Sequence, residues 1–87
     1  MKPLYIIVHE DQVYGSKIIE EINRIKREEE YLLIDRYGDP IPEGIPKDRK
    51  IMVCGAFVEV CVGIQYTSFK NGGYDVEIYR PASQRLG

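Results

Sequence analysis

Long apolar runs are missing from this sequence. The longest fall far short of the roughly 20 residues that a bilayer span requires, so no membrane partner is expected. Only two cysteines occur among the 87 residues, Cys54 and Cys61. Two thiols cannot make a disulfide framework, and their spacing is not that of a zinc site. A Cys54–Cys61 disulfide would need close Cα atoms and is not expected. Histidine occurs once, at position 9, and the formal charge is only −2 with both signs intermixed. That balance lacks the basic footprint of a nucleic-acid binder. No leader pattern is visible, since Lys2 is followed by a short apolar stretch and then His9-Glu10-Asp11. The expectation is a cytoplasmic chain with no nucleic acid, no membrane, no metal and no cofactor.

What is present suffices for one domain over residues 1–87. The hydrophobic fraction, 44%, is ordinary for a globular protein. A chain of this size buries about 60–65% of its unfolded surface, so its core is thin.

The chain centres on residues 51–62. An apolar run from Ile51 to Cys54 ends at Gly55, and Cys61 follows six residues later. This reads as a buried strand, a sharp turn, and a helix whose first turn carries Cys61. Phe57, Val60, Cys61 and Ile64 fall at helical spacing, with Val58, Val62 and Phe69 as a second stripe. Such a helix would be apolar around most of its girth and deeply buried. Val58, Val60 and Val62 also alternate with Glu59 and Cys61, so two strands joined near Gly55 is the competing reading.

Leu4 to Val8 reads as a strand buried on both faces. Ser16 is the candidate N-cap of a helix with an Ile18, Ile19, Ile22, Ile25 stripe. Its other face offers i, i+4 pairs, Lys17–Glu21, Glu20–Arg24, Arg24–Glu28 and Lys26–Glu30, on a solvated surface. Tyr31 to Ile34 is a short strand. Residues 35–50 hold three prolines and two glycines and read as a loop. Tyr74 to Tyr79 alternates like an edge strand, and residues 80–87 read as a polar, loosely held tail.

Strands separated by helices pair in parallel. The two most apolar strands belong at the centre, which gives a four-stranded α/β sheet of order 2-1-3-4. Right-handed crossovers then put one helix on each face. At ~4.8 Å per strand the sheet is about 19 Å wide, while one helix about 10 Å across covers half a face. The remainder calls for the 35–50 loop or a second subunit, hence a homodimer or larger.

In an open parallel sheet, ligands bind beyond the carboxyl ends of the strands where the winding reverses. Here that crevice lies between the first and third strands. It gathers His9, Glu10, Asp11 and Cys61. A thiol in a helix's first turn sits near unpaired amides and the positive dipole end, which favour thiolate. A cysteine hydrolase needs such a thiolate, a proton carrier and oxyanion donors. Cys61 would be the nucleophile, His9, Glu10 or Asp11 the carrier, and amides around Phe57 and Cys61 the donors. The plainer readings are that Cys61 is a small buried core residue and that His9 is a hydrogen-bonded strand end.

Cys54-Gly55-Ala56-Phe57-Val58-Glu59-Val60-Cys61-Val62 resembles the nucleophile motif of the isochorismatase-like cysteine hydrolases, and Gly72-Gly73-Tyr74-Asp75-Val76 resembles that family's entry into its next strand. The match covers most of this chain but about half of a usual family domain, so the resemblance is to a truncated form. It implies Cys61 as nucleophile, and a non-proline cis peptide between Ala56 and Phe57 in the turn after Gly55. It also implies that the Phe57 and Cys61 amides serve as oxyanion donors. The family's catalytic Asp is not reproduced: counting back from Gln12 lands on Glu10, and counting along the strand from Val8 lands on His9. The segment bearing the family's catalytic Lys is largely missing. Lys47 and Lys50 sit in no matching motif, and Arg36, after the second strand, is a candidate for a positive charge. Two functions follow as expectations. One is a small cysteine hydrolase acting on an amide or ester-like substrate. The other is a catalytically silent form that oligomerises or binds a small ligand.

Overall fold

The computed structural model describes residues 2–34 and 42–86. Residues 35–41, Arg36 among them, lie outside the described part. Four parallel strands form one sheet: β1 (Leu4–Val8), β2 (Glu30–Ile34), β3 (Lys50–Ala56) and β4 (Asp75–Gln84). Their order is β2-β1-β3-β4. Helix α1 (Ser16–Glu28) links β1 to β2, and α2 (Cys61–Asn71) links β3 to β4. The fold is the α/β architecture that the apolar pattern implies.

Strand alternation divides the core in two. Leu4, Ile6 and Val8 join Ile34, Ile51, Val53 and Val76 against Val62 and Phe69 of α2. Tyr5 and Ile7 join Cys54, Ala56 and Ala82 against Ile22 and Ile25 of α1. The two helices therefore cover opposite faces. β1 is buried at all five positions because it contributes to both clusters.

The helix ends differ from the sequence expectation. Gly15, not Ser16, is the N-cap of α1, and no side chain caps it. The Gly15 amide instead donates to Gln84 Oε1 at 2.9 Å. Lys26 and Arg27 occupy the last turn of α1, where cations oppose the negative dipole end. At the end of α2, Gly73 has φ 89, a left-handed angle that L side chains resist. That turn returns the Tyr74 amide to the Phe69 carbonyl at 3.1 Å.

Three further expectations are corrected. First, α2 begins at Cys61 after a turn over 58–60, and its buried residues are Val62, Gln65 and Phe69. It is not apolar and buried around its girth: Ile64 is 39% exposed. A helix on a narrow sheet has only one side to bury. Second, β4 does not stop at Tyr79. Its pairing with β3 is irregular between Val53 and Gly55, then resumes with Ser83 and Gln84. Ala82, Ser83 and Gln84 are buried, so this part of the tail is strand. Third, the charged face of α1 keeps the expected Arg24–Glu28 pair, at 3.7 Å, but does not stay wholly within the helix. Lys26 binds Glu10 at 2.7 Å and Glu30 binds Arg49 at 2.7 Å. Arg24 bonds Glu21 at 2.6 Å, and the Tyr79 hydroxyl donates to the same carboxylate at 2.7 Å.

Candidate functional site

The site is set by how β1 and β3 end. Val8 and Gly55 are register partners. Gly55 has φ 108, and a Cβ there would lie 2.0 Å from the Val8 carbonyl oxygen. Only glycine lets the two central strands come this close where the chain turns. The peptide bond from Ala56 to Phe57 is cis, at the position the motif resemblance implies. The Phe57 carbonyl then accepts from both Val60 and Val62 amides at 3.0 Å. This double acceptance winds residues 57–60 tightly and delivers Cys61 as the first residue of α2. Gly63 leaves room for the Val58 carbonyl, which a Cβ would meet at 2.9 Å.

Among the described residues, no carbonyl accepts from the Phe57 or the Cys61 amide. Two donors, one at each end of the turn, are thus uncommitted near the positive end of α2. Cys61 is half-buried, free of any disulfide, and packs on the α2-face cluster. Burial pushes its thiol up from the ordinary value rather than down. This burial opposes the thiolate expected from the helix-start position, since apolar surroundings disfavour charge. Cys54 is buried among the α1-face residues and inert, its thiol pushed up to about 12 by burial, then by Glu10 and Glu21.

His9 follows β1 in a left-handed conformation, φ 47 and ψ 54. Its amide donates to the Ile34 carbonyl at 2.8 Å and its carbonyl accepts from Gln12 at 2.9 Å. The residue is buried, and its backbone work matches the plainer reading of a hydrogen-bonded strand end. Glu10, Asp11 and Gln12 form one 3-10 turn. Glu10 turns to α1, where its bond raises the affinity of Lys26 for its proton. The charge of Glu10 is felt by Cys54, whereas burial is the sole cause acting on Cys61. The structure thus gathers Gly55, Ala56, Phe57 and Cys61 into one turn and engages Glu10 elsewhere. Lys47 binds the Gly72 carbonyl and sits 4.3 Å over the Tyr74 ring. Lys50 opens β3 between Asp75 at 3.0 Å and Glu77 at 3.1 Å. Both lysines lie at the amino end of the sheet, away from Cys61.

Residues that the sequence reading missed hold this turn in place. The Val58 amide donates to the Gln84 carbonyl at 3.0 Å. Glu59 accepts from the Leu86 amide at 3.1 Å and pairs with Arg85 at 3.6 Å. The Leu86 amide, aided by Arg85, holds the Glu59 carboxyl below the usual carboxylate range. The chain after Pro81 therefore straps the turn that precedes Cys61. No local pattern announces such a strap, although the buriable trio Ala82-Ser83-Gln84 is a faint sign.

A groove of about 450 Å³ lies on the outer side of α2, lined by Glu59, Val60, Gly63, Ile64, Thr67 and Ser68. Another of about 470 Å³ lies between Tyr66 and the β4 residues Val76, Glu77, Ile78 and Arg80. Neither is lined by Cys61 or His9. Among the described residues, no group of three His, Cys, Asp or Glu side chains is placed to hold a metal, and no helix is long and apolar enough to cross a membrane. No family model, no curated protein and no solved structure matches this chain.

Proposed function

We propose that this chain is a small-ligand-binding domain of isochorismatase-like design. The Phe57 and Cys61 amides hold a carbonyl or carboxylate oxygen of a small molecule, and Cys61 rests as a neutral thiol. The observation that carries this reading is that the Phe57 and Cys61 amides, at the two ends of the turn leading into α2, have no carbonyl acceptor among the described residues. Two unpaired N–H donors at a helix start bind a partial or full negative charge well. Turnover needs a further group to take the thiol proton, and Glu10 is engaged with Lys26. The domain works in the cytoplasm and self-associates, because one helix per face leaves sheet uncovered.

The second reading is a small cysteine hydrolase acting on an amide or ester-like substrate. It is favoured by one observation, the place of Cys61 as first residue of α2 directly after the turn. His9 would then carry the proton, since Glu10 is occupied.

One set of measurements separates the two. Amide NMR spectra are followed while acetate, benzoate and benzamide are added, and Cys61 alkylation by iodoacetamide is timed at neutral pH. The binding reading expects the Phe57 and Cys61 resonances to shift together. It also expects Cys61 to label more slowly than free cysteine, with no acyl adduct by mass after exposure to p-nitrophenyl acetate. Fast labelling with an acyl adduct lost in Cys61→Ser establishes the hydrolase. Silent amides with slow labelling remove both.

A further inference from the structure

The two edges of the sheet are built differently. The β4 edge carries the exposed residues Asp75, Glu77, Arg80 and Pro81 and an irregular register. Charges, a proline and an irregularity are the devices that keep edge strands from pairing with other chains. The β2 edge has none of them inside the strand. Its sequence is Glu30-Tyr-Leu-Leu-Ile34, and its only charge, at the first position, is held by Arg49 at 2.7 Å. Among the described residues, β2 pairs with β1 alone. Leu32 is 37% exposed on the α2 face and Leu33 is 44% exposed on the α1 face. Neither helix reaches far enough to cover them.

The hydrogen-bonding direction of this edge is known. The His9 amide donates to the Ile34 carbonyl at 2.8 Å. In a parallel ladder, alternate residues point their amide and carbonyl the same way. Glu30, Leu32 and Ile34 therefore point to β1, while Tyr31 and Leu33 point both groups at the open edge.

We propose that two copies of this chain join through β2, antiparallel about a two-fold axis at Leu32, giving a continuous eight-stranded sheet. The proposal rests on the self-association put forward above and names its surface. The register is the one that the strand's own pattern satisfies. Centred on Leu32, it sets Tyr31 opposite the partner's Leu33, so the outward amides and carbonyls meet as hydrogen-bonded pairs. Leu32 meets its own copy on the α2 face, and Tyr31 meets Leu33 on the α1 face, so each cross-strand pair near the axis is apolar. Glu30 falls opposite Ile34, so no like charges meet. The contact is isologous, as a two-fold dimer requires. A five-residue strand is short against standard interfaces, so the dimer dissociates on dilution.

The test is the mass in solution by light scattering at about 100 μM and after dilution, with a register-specific cross-link. The wild-type chain is expected at twice its 10.1 kDa mass, and Leu32→Lys, which sets two lysines face to face, at the single mass. Directly opposed residues of a non-hydrogen-bonded antiparallel pair have Cα atoms about 4.5 Å apart, within disulfide reach. In a Cys61→Ser background, Leu32→Cys is expected to give a covalent dimer on mild oxidation, and Glu77→Cys on the other edge is not. The cross-link decides the matter should Leu32→Lys lose its fold by circular dichroism. A monomeric wild-type chain at the higher concentration overturns both self-association and this surface. A wild-type dimer that persists in folded Leu32→Lys, with no Leu32→Cys cross-link, overturns the surface alone.

Discussion

At the scale of single residues, burial decides what the two cysteines can do. Cys54 sits in β3 against α1, and its thiol is pushed up to about 12 from 9.0 by burial, with Glu10 and Glu21 adding to it. The unfolded chain releases this proton near the ordinary value, while the folded chain retains it. The stabilisation is therefore complete below pH 9.0 and is lost as pH rises through about 12. Between about pH 7 and about pH 10, urea denaturation is expected to show the wild-type protein losing about 1 kcal/mol more than Cys54→Ala. An equal loss in both would mean that the thiol is not held in an apolar site. The sequence showed Cys54 as part of an apolar strand but could not rank its thiol against that of Cys61. That ranking depends on which helix lies over each sulfur. Gly55 was legible as a turn. Its closeness to Val8, which excludes every other residue, depends on a pairing between distant segments.

At the scale of elements, β1, β3 and α1 were legible because continuous apolar runs and a 3.6-residue stripe each specify one state. The second half of β4 was not. Pro81 lacks a donor and reads as a strand end, yet an irregular edge strand tolerates it. Ala82, Ser83 and Gln84 are then buried by contacts with β3 and the start of α1, which no local pattern encodes. Of the expected ion pairs Arg24–Glu28 forms, at 3.7 Å, but Lys26 reaches Glu10, sixteen positions away, instead of Glu30, for the same reason. Gln84 joins these elements. Its side chain accepts from Gly15 at 2.9 Å and its carbonyl accepts from Val58 at 3.0 Å. Gln84→Ala removes the first bond and keeps the second. The expected cost is about 1–2 kcal/mol, from a partly buried donor left without its acceptor. Hydrogen exchange should show the Gly15 amide losing protection while the Val58 amide keeps most of its own. Equal loss at both would mean that the whole strap detaches, and that the side-chain bond, not β-pairing, anchors it.

At the scale of the whole molecule, the strand order followed from apolarity alone, because the two strands that bury both faces must be central. The exposed side of α2 did not follow. Periodicity shows where apolar residues lie on a helix but not how much sheet is available to cover them, and this sheet has four strands. Two thin clusters result, one on each face, and they share β1 and β3 as a common wall. Phe69 is the largest fully buried side chain, on the α2 face, and Ile25 is fully buried on the α1 face. Phe69→Ala is expected to cost about 3–5 kcal/mol and Ile25→Ala about 2–5 kcal/mol. A domain of this length has a total stability of about 4–13 kcal/mol, so Phe69→Ala leaves little in reserve. Neither cluster can persist alone, because the strands that wall one are held in place by the other. Both variants should therefore unfold in a single transition, with far-UV and near-UV circular dichroism coinciding. Separate transitions in Phe69→Ala, with the α1 face surviving after α2 is lost, would mean that β1 and β3 can hold one helix without the other and that the two faces are independent units.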